Sequence, residues 1–415
     1  MGVGCMWASN AALKAALQIA KGILQELIEL QGTGHCGQEH IDGSGGVRHF
    51  KQYVTKTVKT VVGPIEVRAA QYYSRSAEPS CGYPVRERLG LPQGEYSRGM
   101  EELIALAGVT EVYREGLKLL ERLTGQSISV LKAETTTQRW GQEAKNTKLK
   151  GASEKPQSSR ERVASTQKLK GLRMCIATDG GSVQTTECWR DAKLIVSYRF
   201  DGRGRKIGQP RYAGTLDYSK DYEPLLWDLM RQTGADRAEH LTWLGDGALW
   251  IWNQQQIAAP HAVAIVDIYH PILRLRQLGS ALHRKAHQAK QWANKWIRNL
   301  YNGKIPSVLL ELRRQRRRLG DPPEGCREDE PRKLVADAER YFTNNASRMR
   351  YDEYRAKGYP IGSGVVENAC RHVVGLRMKR AATMCWQPRR AEAMIQLRCL
   401  CAGDEWDRFW GLDEL

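Results

Sequence analysis

The feature that most constrains this chain is the stretch from Leu172 to Asp267, where short apolar runs and turns follow one another in a fixed order. Leu172 to Thr178 reads as a strand ending at Asp179-Gly180-Gly181. Lys193 to Phe200 is a second strand, closed by the charged turn Asp201-Gly202-Arg203-Gly204-Arg205, and Arg211 to Tyr218 is a third. Ser219 to Gln232 has the spacing of an amphipathic helix, with Ser219 as N-cap before Leu225, Leu226 and Leu229. His240 to Leu244 is a fourth strand ending at Gly245-Asp246-Gly247. A helix follows, and a fifth strand, Ala262 to Val266, ends at Asp267. Gly202, Gly204 and Gly208 do not make a dinucleotide loop, because that loop must open a helix and these glycines join two strands.

Three strands, helix, strand, helix, strand is the element order of the RNase H-like fold. The expected core is therefore an α/β unit on a mixed five-stranded sheet, with strands one and four as parallel neighbours. Three acids hold privileged places in it: Asp179 after strand one, Asp246 after strand four, and Glu367 near the start of a late helix. Neighbouring strands lie about 4.8 Å apart, so carboxylates at matching ends can share a pair of metal ions. Two metals about 3.5–4 Å apart can activate an attacking hydroxyl and stabilise the leaving oxygen of a phosphodiester. Without cations the clustered carboxylates would repel one another. Magnesium suits such an oxygen-only site, with manganese as a substitute. Asp267 is the rival for the second position, but its strand is one further out, roughly 9–10 Å from strand one by the same spacing. Any one of these acids alone would read as a turn aspartate beside glycine; their joint placement carries the assignment.

The flanking sequence divides into further regions. Asn10 to Leu30 is helical, and Tyr53 to Tyr73 alternates as a hairpin turning at Gly63-Pro64. Ser97 to Lys145 reads as three short helical pieces broken at Gly108 and at Gly125 to Ser129, in the manner of a helix-turn-helix. Residues 1–135 are thus expected to be an α+β, helix-turn-helix DNA-binding region, with an ordinary helical subdomain as the alternative reading of the three pieces, and 136–170 a basic linker. Arg139 to Lys170 holds nine Lys and Arg against three Glu and few large apolar residues. Residues 171–275 are the first part of the core, 276–357 an all-α insertion, and 358–415 the closing helix and tail of the core. Arg274 to Arg318 carries thirteen Lys and Arg and one acid, Glu311, a one-sided run that needs a polyanion or acidic neighbours. Trp292 and Trp296 lie one turn apart in it, either stacking on unpaired bases or packing inward as core.

Composition bounds the function classes. The 64 Lys and Arg against 46 Asp and Glu give a net charge of +18, which suits a partner rich in phosphates. No apolar run approaches the roughly 20 residues that span a bilayer, and Lys14 interrupts the amino-terminal stretch, which reads as an amphipathic helix and not a signal peptide. Ten cysteines over 415 residues make no secreted disulfide framework. Composition thus leaves a soluble, basic, multidomain protein of a reducing compartment.

The segments Ala177-Thr-Asp-Gly-Gly-Ser182, Trp243-Leu-Gly-Asp-Gly-Ala-Leu-Trp-Ile-Trp252, Val266-Asp-Ile-Tyr-His270 and Gly358-Tyr-Pro-Ile-Gly-Ser-Gly-Val-Val-Glu-Asn368 resemble a bacterial insertion-sequence transposase of the DDE class. The ISKra-type group is the nearest in pattern, and Cys370-Arg-His-Val-Val-Gly-Leu-Arg-Met-Lys-Arg380 with Trp386 matches it too. The resemblance is specific from about Leu172 to Leu400. It implies an RNase H-like core interrupted by a helical insertion, a catalytic and metal-binding triad of Asp179, Asp246 and Glu367, and strand cleavage and transfer on double-stranded DNA by a homodimer or higher oligomer. The same resemblance would place the protein in the bacterial cytoplasm, associated with the nucleoid. Asp267-Ile-Tyr-His270 resembles the C-x-x-H element of Mutator-like and hAT relatives, which makes Asp267 and His270 supporting residues. Relatives carry paired cysteines in the amino-terminal half, where this chain keeps only His35, Cys36 and Cys81, so bound zinc is not expected.

The late helix places Glu367, Cys370, Arg371, Val374 and Met378 on one face by their spacing, with Ser363 as N-cap. Arg139, Arg313, Arg314, Arg316, Arg317, Arg371, Lys379 and Arg380 are the expected DNA contacts. Two functions compete: an active transposase acting at element ends, and a decayed or repurposed transposase that only binds DNA. The acidic triad favours the first and the eroded cysteine pairs favour the second.

Overall fold

A computed structural model describes residues 2–42, 45–74, 81–91, 94–152, 168–217, 220–362, 364–380 and 384–413, with the side chains of 2–7, 151–152 and 366 excepted. Ser219 and Ser363, both expected to cap helices, lie outside these residues. The chain forms two compact units, Met1–Trp140 and Gly141–Leu415.

In the first unit a long helix, α1 (Gly2–Leu30), precedes four antiparallel strands in sequential order: β1 (Glu39–Ile41), β2 (Val47–Thr60), β3 (Gly63–Tyr73) and β4 (Cys81–Gly82). The hairpin between β2 and β3 turns at Val61-Val62 and not at Gly63-Pro64. Thr60 pairs with Gly63 across the turn, and its hydroxyl donates to the Gly63 carbonyl at 2.7 Å. Alternation along β2 and β3 buries Val58, Ile65, Val67 and Ala69, which pack with Val85 and with Leu24 and Ile28 of α1. After the short helix α2 (Pro84–Arg88) come three helices, α3 (Arg98–Thr110), α4 (Tyr113–Thr124) and α5 (Val130–Ala152). The Ser97 hydroxyl caps α3 by accepting the Met100 N–H at 3.3 Å, and Ser129 does the same for Lys132 in α5. The first break falls at Glu111-Val112. Gly108 is inside α3, where a side chain would collide with the Tyr113 ring.

Helix α5 corrects the expected linker. Residues 139–152, read as a solvated hinge, continue the helix through its last four turns. Two devices escaped a count of large apolar residues. Gly141 packs so closely on the carboxy-terminal helix that a Cβ would lie 2.4 Å from the Ala393 carbonyl oxygen. Lys145, only 8% exposed, buries its charge against Asp221 and Glu392, the latter at 2.9 Å. Glu392 is itself satisfied by the Leu216 N–H at 2.7 Å, the Thr215 hydroxyl at 3.1 Å and Gln396 at 3.0 Å. A buried cation with this many partners is a core element and not a tether. Residues 153–167 of the expected linker lie outside the described residues.

The second unit is a mixed α/β structure on a five-stranded mixed sheet. Its strands are β5 (Leu169–Gln184), β6 (Trp189–Phe200), β7 (Lys206–Thr215), β8 (Ala238–Gly245) and β9 (Val263–Val266), in the order β7-β6-β5-β8-β9. β5 is antiparallel to β6 and parallel to β8, and β9 is parallel to β8. Helix α6 (Tyr222–Thr233) connects β7 to β8, and α7 (Leu249–Ala258) connects β8 to β9. The central strand is longer than its sequence suggested. β5 does not stop at Asp179 but pairs with β6 as far as Gln184 and Trp189, because Gly180 and Gly181 stay extended in the ladder. The turn reading failed where the long antiparallel partner holds the strand straight.

Beyond β9 the chain is helical, as expected: α8 (Tyr269–Leu282), α9 (Ala286–Tyr301), α10 (Ile305–Leu319), α11 (Pro331–Asn345) and α12 (Tyr351–Ala356). Helix α13 (Gly364–Ala369) then runs into a π-helical turn, Cys370–Gly375, and ends at Leu376–Met378. α14 is Pro388–Ala402, and α15 is Trp406–Trp410. Among the described residues no helix is long and apolar enough to cross a membrane.

The close approach at Gly141 generates a stability prediction. In an open helix Gly141→Ala would stabilise by about 1 kcal/mol through propensity. Here the new methyl must displace the α14 backbone, an overpacking cost of about 1–3 kcal/mol. Thermal melting of Gly141→Ala should therefore show a lower Tm. A raised Tm would return residues 139–152 to the status of a solvated segment.

Candidate active site

Strand register sets out the acidic cluster. Ala177 of β5 pairs with Leu244 of β8, so Asp179 and Asp246 each lie two residues further along parallel neighbours. Gly245 of β8 pairs with Val266 of β9, so Asp246 and Asp267 each lie one residue beyond that pair. Three aspartates thus stand level across adjacent strands, and Asp179, Asp246, Asp267 and His270 line one narrow hollow with Thr178, Leu244 and Gly245. Asp267, expected to stand apart as the rival of Asp246, shares the hollow with it.

Asp246 and Asp267 are each held by the turn that follows their strand, and Asp179 by its own strand and by a distant thiol. Asp246 Oδ1 accepts the Ala248 N–H at 2.8 Å, and Asp267 Oδ1 accepts the Tyr269 N–H at 3.0 Å. Asp179 accepts the Gly180 N–H at 2.7 Å through Oδ1 and the Cys370 thiol at 3.3 Å through Oδ2. Burial pushes the Asp179 carboxyl above the usual range, and the charge of Asp246 adds to it against the hydrogen bonds from Gly180 and Cys370. Gly247, with φ +104°, makes the turn after β8 and leaves room for the Tyr341 ring, whose edge would stand 2.6 Å from a Cβ.

The insertion grips the same strand ends through tyrosine hydroxyls. Tyr341 donates to the Asp246 carbonyl at 2.8 Å, Tyr351 to Val266 at 2.9 Å and Tyr354 to Ala264 at 3.4 Å. No sequence signal pointed to these residues, since each sits on an amphipathic helix where an aromatic reads as core.

Glu367 is exposed on α13 and is not among the residues lining the hollow. Its charge reaches Cys370, whose thiol is raised first by burial and then by Asp179, with a smaller push from Glu367. Helix α13 and the π turn are thereby tied to β5 through Cys370 and Asp179. The expected single face of Glu367, Cys370, Arg371, Val374 and Met378 divides: Val374 and Met378 are buried, while Glu367 and Arg371 are exposed. The π turn is the reason, because its i→i+5 spacing rotates the residues after it relative to an α-helix.

Among the described residues no three His, Cys, Asp or Glu side chains stand close enough to hold one metal ion. The donor chemistry of Asp179 and Asp246 nonetheless fits a hard divalent cation. Both are carboxylates, and Asp246 raises the proton affinity of Asp179, a repulsion that a cation between them would relieve. In the first unit, His35 packs on Phe50 with ring centroids 4.7 Å apart. Cys36 Sγ donates to the Gly34 carbonyl, and Cys81 Sγ accepts from Gln71, both at 3.3 Å.

Half of the expected DNA contacts already have acidic partners in the chain. Arg139 pairs with Glu101, Arg313 with Glu339, Arg314 with Glu311, and Arg316 with both Asp321 and Glu339. Glu101 and Glu339 come from helices distant in sequence, so a count along the basic run could not reveal them. Arg317, Arg371 and Arg380 are exposed, and Lys379 Nζ lies 3.3 Å from the Ser182 hydroxyl on β5.

The tryptophans resolve in favour of packing. Trp296 is 8% exposed, and Trp292 meets it edge-on at 6.3 Å between centroids. Trp292 Nε1 donates at 3.2 Å to Glu311, the one acid of the basic run, which also binds Arg314 at 2.9 Å and Gln315 at 2.6 Å. Burial acts to raise the Glu311 carboxyl, but the bonds from Arg314, Gln315 and Trp292 prevail and hold it below the usual range.

Glu311 therefore joins α9 to α10. Glu311→Ala strands the Trp292 and Gln315 donors and should cost about 2 kcal/mol, read as a lower Tm with a shift in tryptophan emission. The pH dependence follows from the depressed carboxyl. Its contribution is complete above the unfolded value of about 4.3 and is lost as pH falls through the folded value. The stability gap between the native chain and Glu311→Gln should thus be widest near neutral pH and close on acidification. A constant gap would remove the ionised carboxylate from the account.

No family model matches this chain, and no curated protein matches it in sequence.

Proposed function

We propose that the protein is a DDE-type DNA transposase with an RNase H-like core, of the ISKra type suggested by its motifs, which cleaves and joins DNA strands at insertion-sequence ends. The observation that carries this reading is the register of β5 and β8, which sets Asp179 and Asp246 level on parallel neighbours. Helix α13, with Glu367, is fastened to the same strand through Cys370.

In this reading Asp179, Asp246 and Glu367 would hold magnesium, which would supply positive charge to a phosphodiester undergoing cleavage. The chain's own groups set the stage. The Ala248 N–H fixes one Asp246 oxygen, and the Tyr341 hydroxyl fixes the backbone carbonyl of the same residue. The Cys370 thiol orients Asp179. Arg317, Arg371, Lys379 and Arg380 supply phosphate contacts on double-stranded DNA, with the protein acting as a homodimer or higher oligomer. Asp267 and His270, in the same hollow, support the arrangement of the aspartates.

The test is cleavage of labelled element-end DNA in the presence of magnesium. Asp246→Asn should abolish cleavage, a loss of at least about a thousandfold if the metal-assisted step is removed, while DNA affinity stays within about twofold. Asp267→Asn should slow cleavage less. Retained cleavage by Asp246→Asn would overturn the assignment, and DNA binding without cleavage by the native chain would favour the repurposed DNA-binding protein.

Salt dependence tests the DNA face separately. Exposed Arg317 and Arg318 should each contribute about 0.9 to the slope of log affinity against log salt on duplex DNA if they neutralise phosphates. The double replacement by Gln should flatten that slope by nearly two, whereas Arg314→Gln, which breaks the Glu311 pair, should act mainly on stability.

A further inference from the structure

Two sequence motifs remain without a role: the glycine-rich turn Gly202-Arg203-Gly204 and the loop Tyr359-Pro-Ile-Gly362. The fold brings them together. With Tyr269, Tyr301 and Arg355 they line a hollow of about 480 Å³ on the second unit, within the size range of small-ligand sites.

The hollow shares a wall with the carboxylate cluster. The turn after β9 sends Asp267 and His270 into the acidic hollow and Ile268 and Tyr269 into this one. The Ile268 N–H donates to the Ile361 carbonyl at 2.9 Å, which fixes the wall to the far loop. Consecutive Cα atoms are about 3.8 Å apart, so an occupant of the second hollow lies within a residue or two of the acids.

The lining has one chemical character. Tyr269 leaves 51% of its surface exposed. Its backbone N–H is engaged by Asp267, so the ring is held at the mouth by a fixed main chain. A Cβ at Gly362 would stand 3.0 Å from that ring, so only glycine leaves it in place. Arg355 lies over the Tyr301 ring at 5.9 Å, and Arg203 and Arg355 are both exposed. Aromatic faces beside mobile guanidinium groups, with bare glycine backbone between them, bind unstacked bases and their phosphates. Duplex DNA offers no free base face to such a hollow.

We propose that this hollow binds single-stranded DNA, stacking an unpaired base on Tyr269 and holding the adjoining phosphates with Arg203 and Arg355. The proposal deepens the reading of the neighbouring acids as a strand-cleaving site: it holds the unpaired strand beside them.

The experiment uses the full chain, in EDTA so that cleavage plays no part. Fluorescence anisotropy is measured with a labelled ten-nucleotide oligo-dT and with a blunt duplex of the same length. Tyr269→Ala should weaken single-strand binding about 5- to 150-fold, the range of one lost base–aromatic stack. Duplex affinity should stay within about twofold, and Tyr269→Phe should bind as the native chain does. Unchanged single-strand affinity, or equal loss on both probes, would overturn the proposal. If Tyr269→Ala proves unstable on melting, Arg203→Gln with Arg355→Gln, both on the surface, decides. That pair should reduce the single-strand salt slope by about 1.4, and an unchanged slope overturns the proposal. The two readings fail separately. Tyr269-dependent strand binding in a native chain that never cleaves DNA would sink the transposase and keep this site. Normal cleavage with Tyr269-independent binding would do the reverse.

Discussion

The parallel pairing of β5 with β8 is the constraint from which the rest of the second unit follows. It fixes a register in which Ala177 faces Leu244, and a shift of one residue would put Asp179 and Asp246 on opposite faces of the sheet. The register is well specified, because Ile176, Ala177, Trp243 and Leu244 are almost wholly buried on the two faces of the sheet, and a slip would exchange side chains of unlike size, such as Trp243 and Leu244, between two packed faces. Trp243 adds a directional tie, donating from Nε1 to the Thr178 hydroxyl on the neighbouring strand at 3.3 Å. Asp179 and Asp246 are thus aligned by hydrophobic burial two residues away from them.

The insertion depends on the same strand ends. Its three tyrosine hydroxyls donate to the carbonyls of Asp246, just past β8, and of Ala264 and Val266 in β9, the edge strand of the sheet. The insertion is therefore part of the sheet's hydrogen bonding and not a module hung from it. Its own cohesion runs through Glu311, which gathers Trp292, Arg314 and Gln315 from two helices. Glu311, the one acid of the basic run, thus adds a polar tie to the apolar contact of Ala289, Ala293, Trp296, Leu300, Val308 and Leu312, which are buried in the same two helices.

Much of this was legible in the sequence. The succession of strands and helices and the helical insertion follow from apolar runs and their turns, whereas the parallel pairing of strands one and four, and with it the neighbourhood of Asp179 and Asp246, was expected only from the likeness of that succession to the RNase H-like fold. What escaped did so for specific reasons. Gly180-Gly181 resembles a turn, and only the long partner strand β6 shows that it is extended backbone. Residues 139–152 resemble a linker because a packed helix contact there uses Gly141 and the stem of Lys145 in place of large apolar side chains. The acids that engage Arg139 and Arg313, Glu101 and Glu339, come from other helices, outside a count along the basic segments. Periodicity also assumes a uniform helix, and so it placed Arg371 on the same face as Val374.

The π turn at Cys370–Gly375 has a consequence for how this chain tolerates change in length. A wide turn carries one residue more than an α-helical path between the same two ends. It therefore acts as a phase shifter between Glu367 before it and the buried anchor Met378 after it. Loss of one residue from this turn would let the helix close into regular α geometry with its ends still in place. A loss or gain elsewhere between Glu367 and Met378 would instead rotate the carboxylate by about 100° around the helix axis. The late helix thus has one place where its length is adjustable, and it lies within one turn of Glu367.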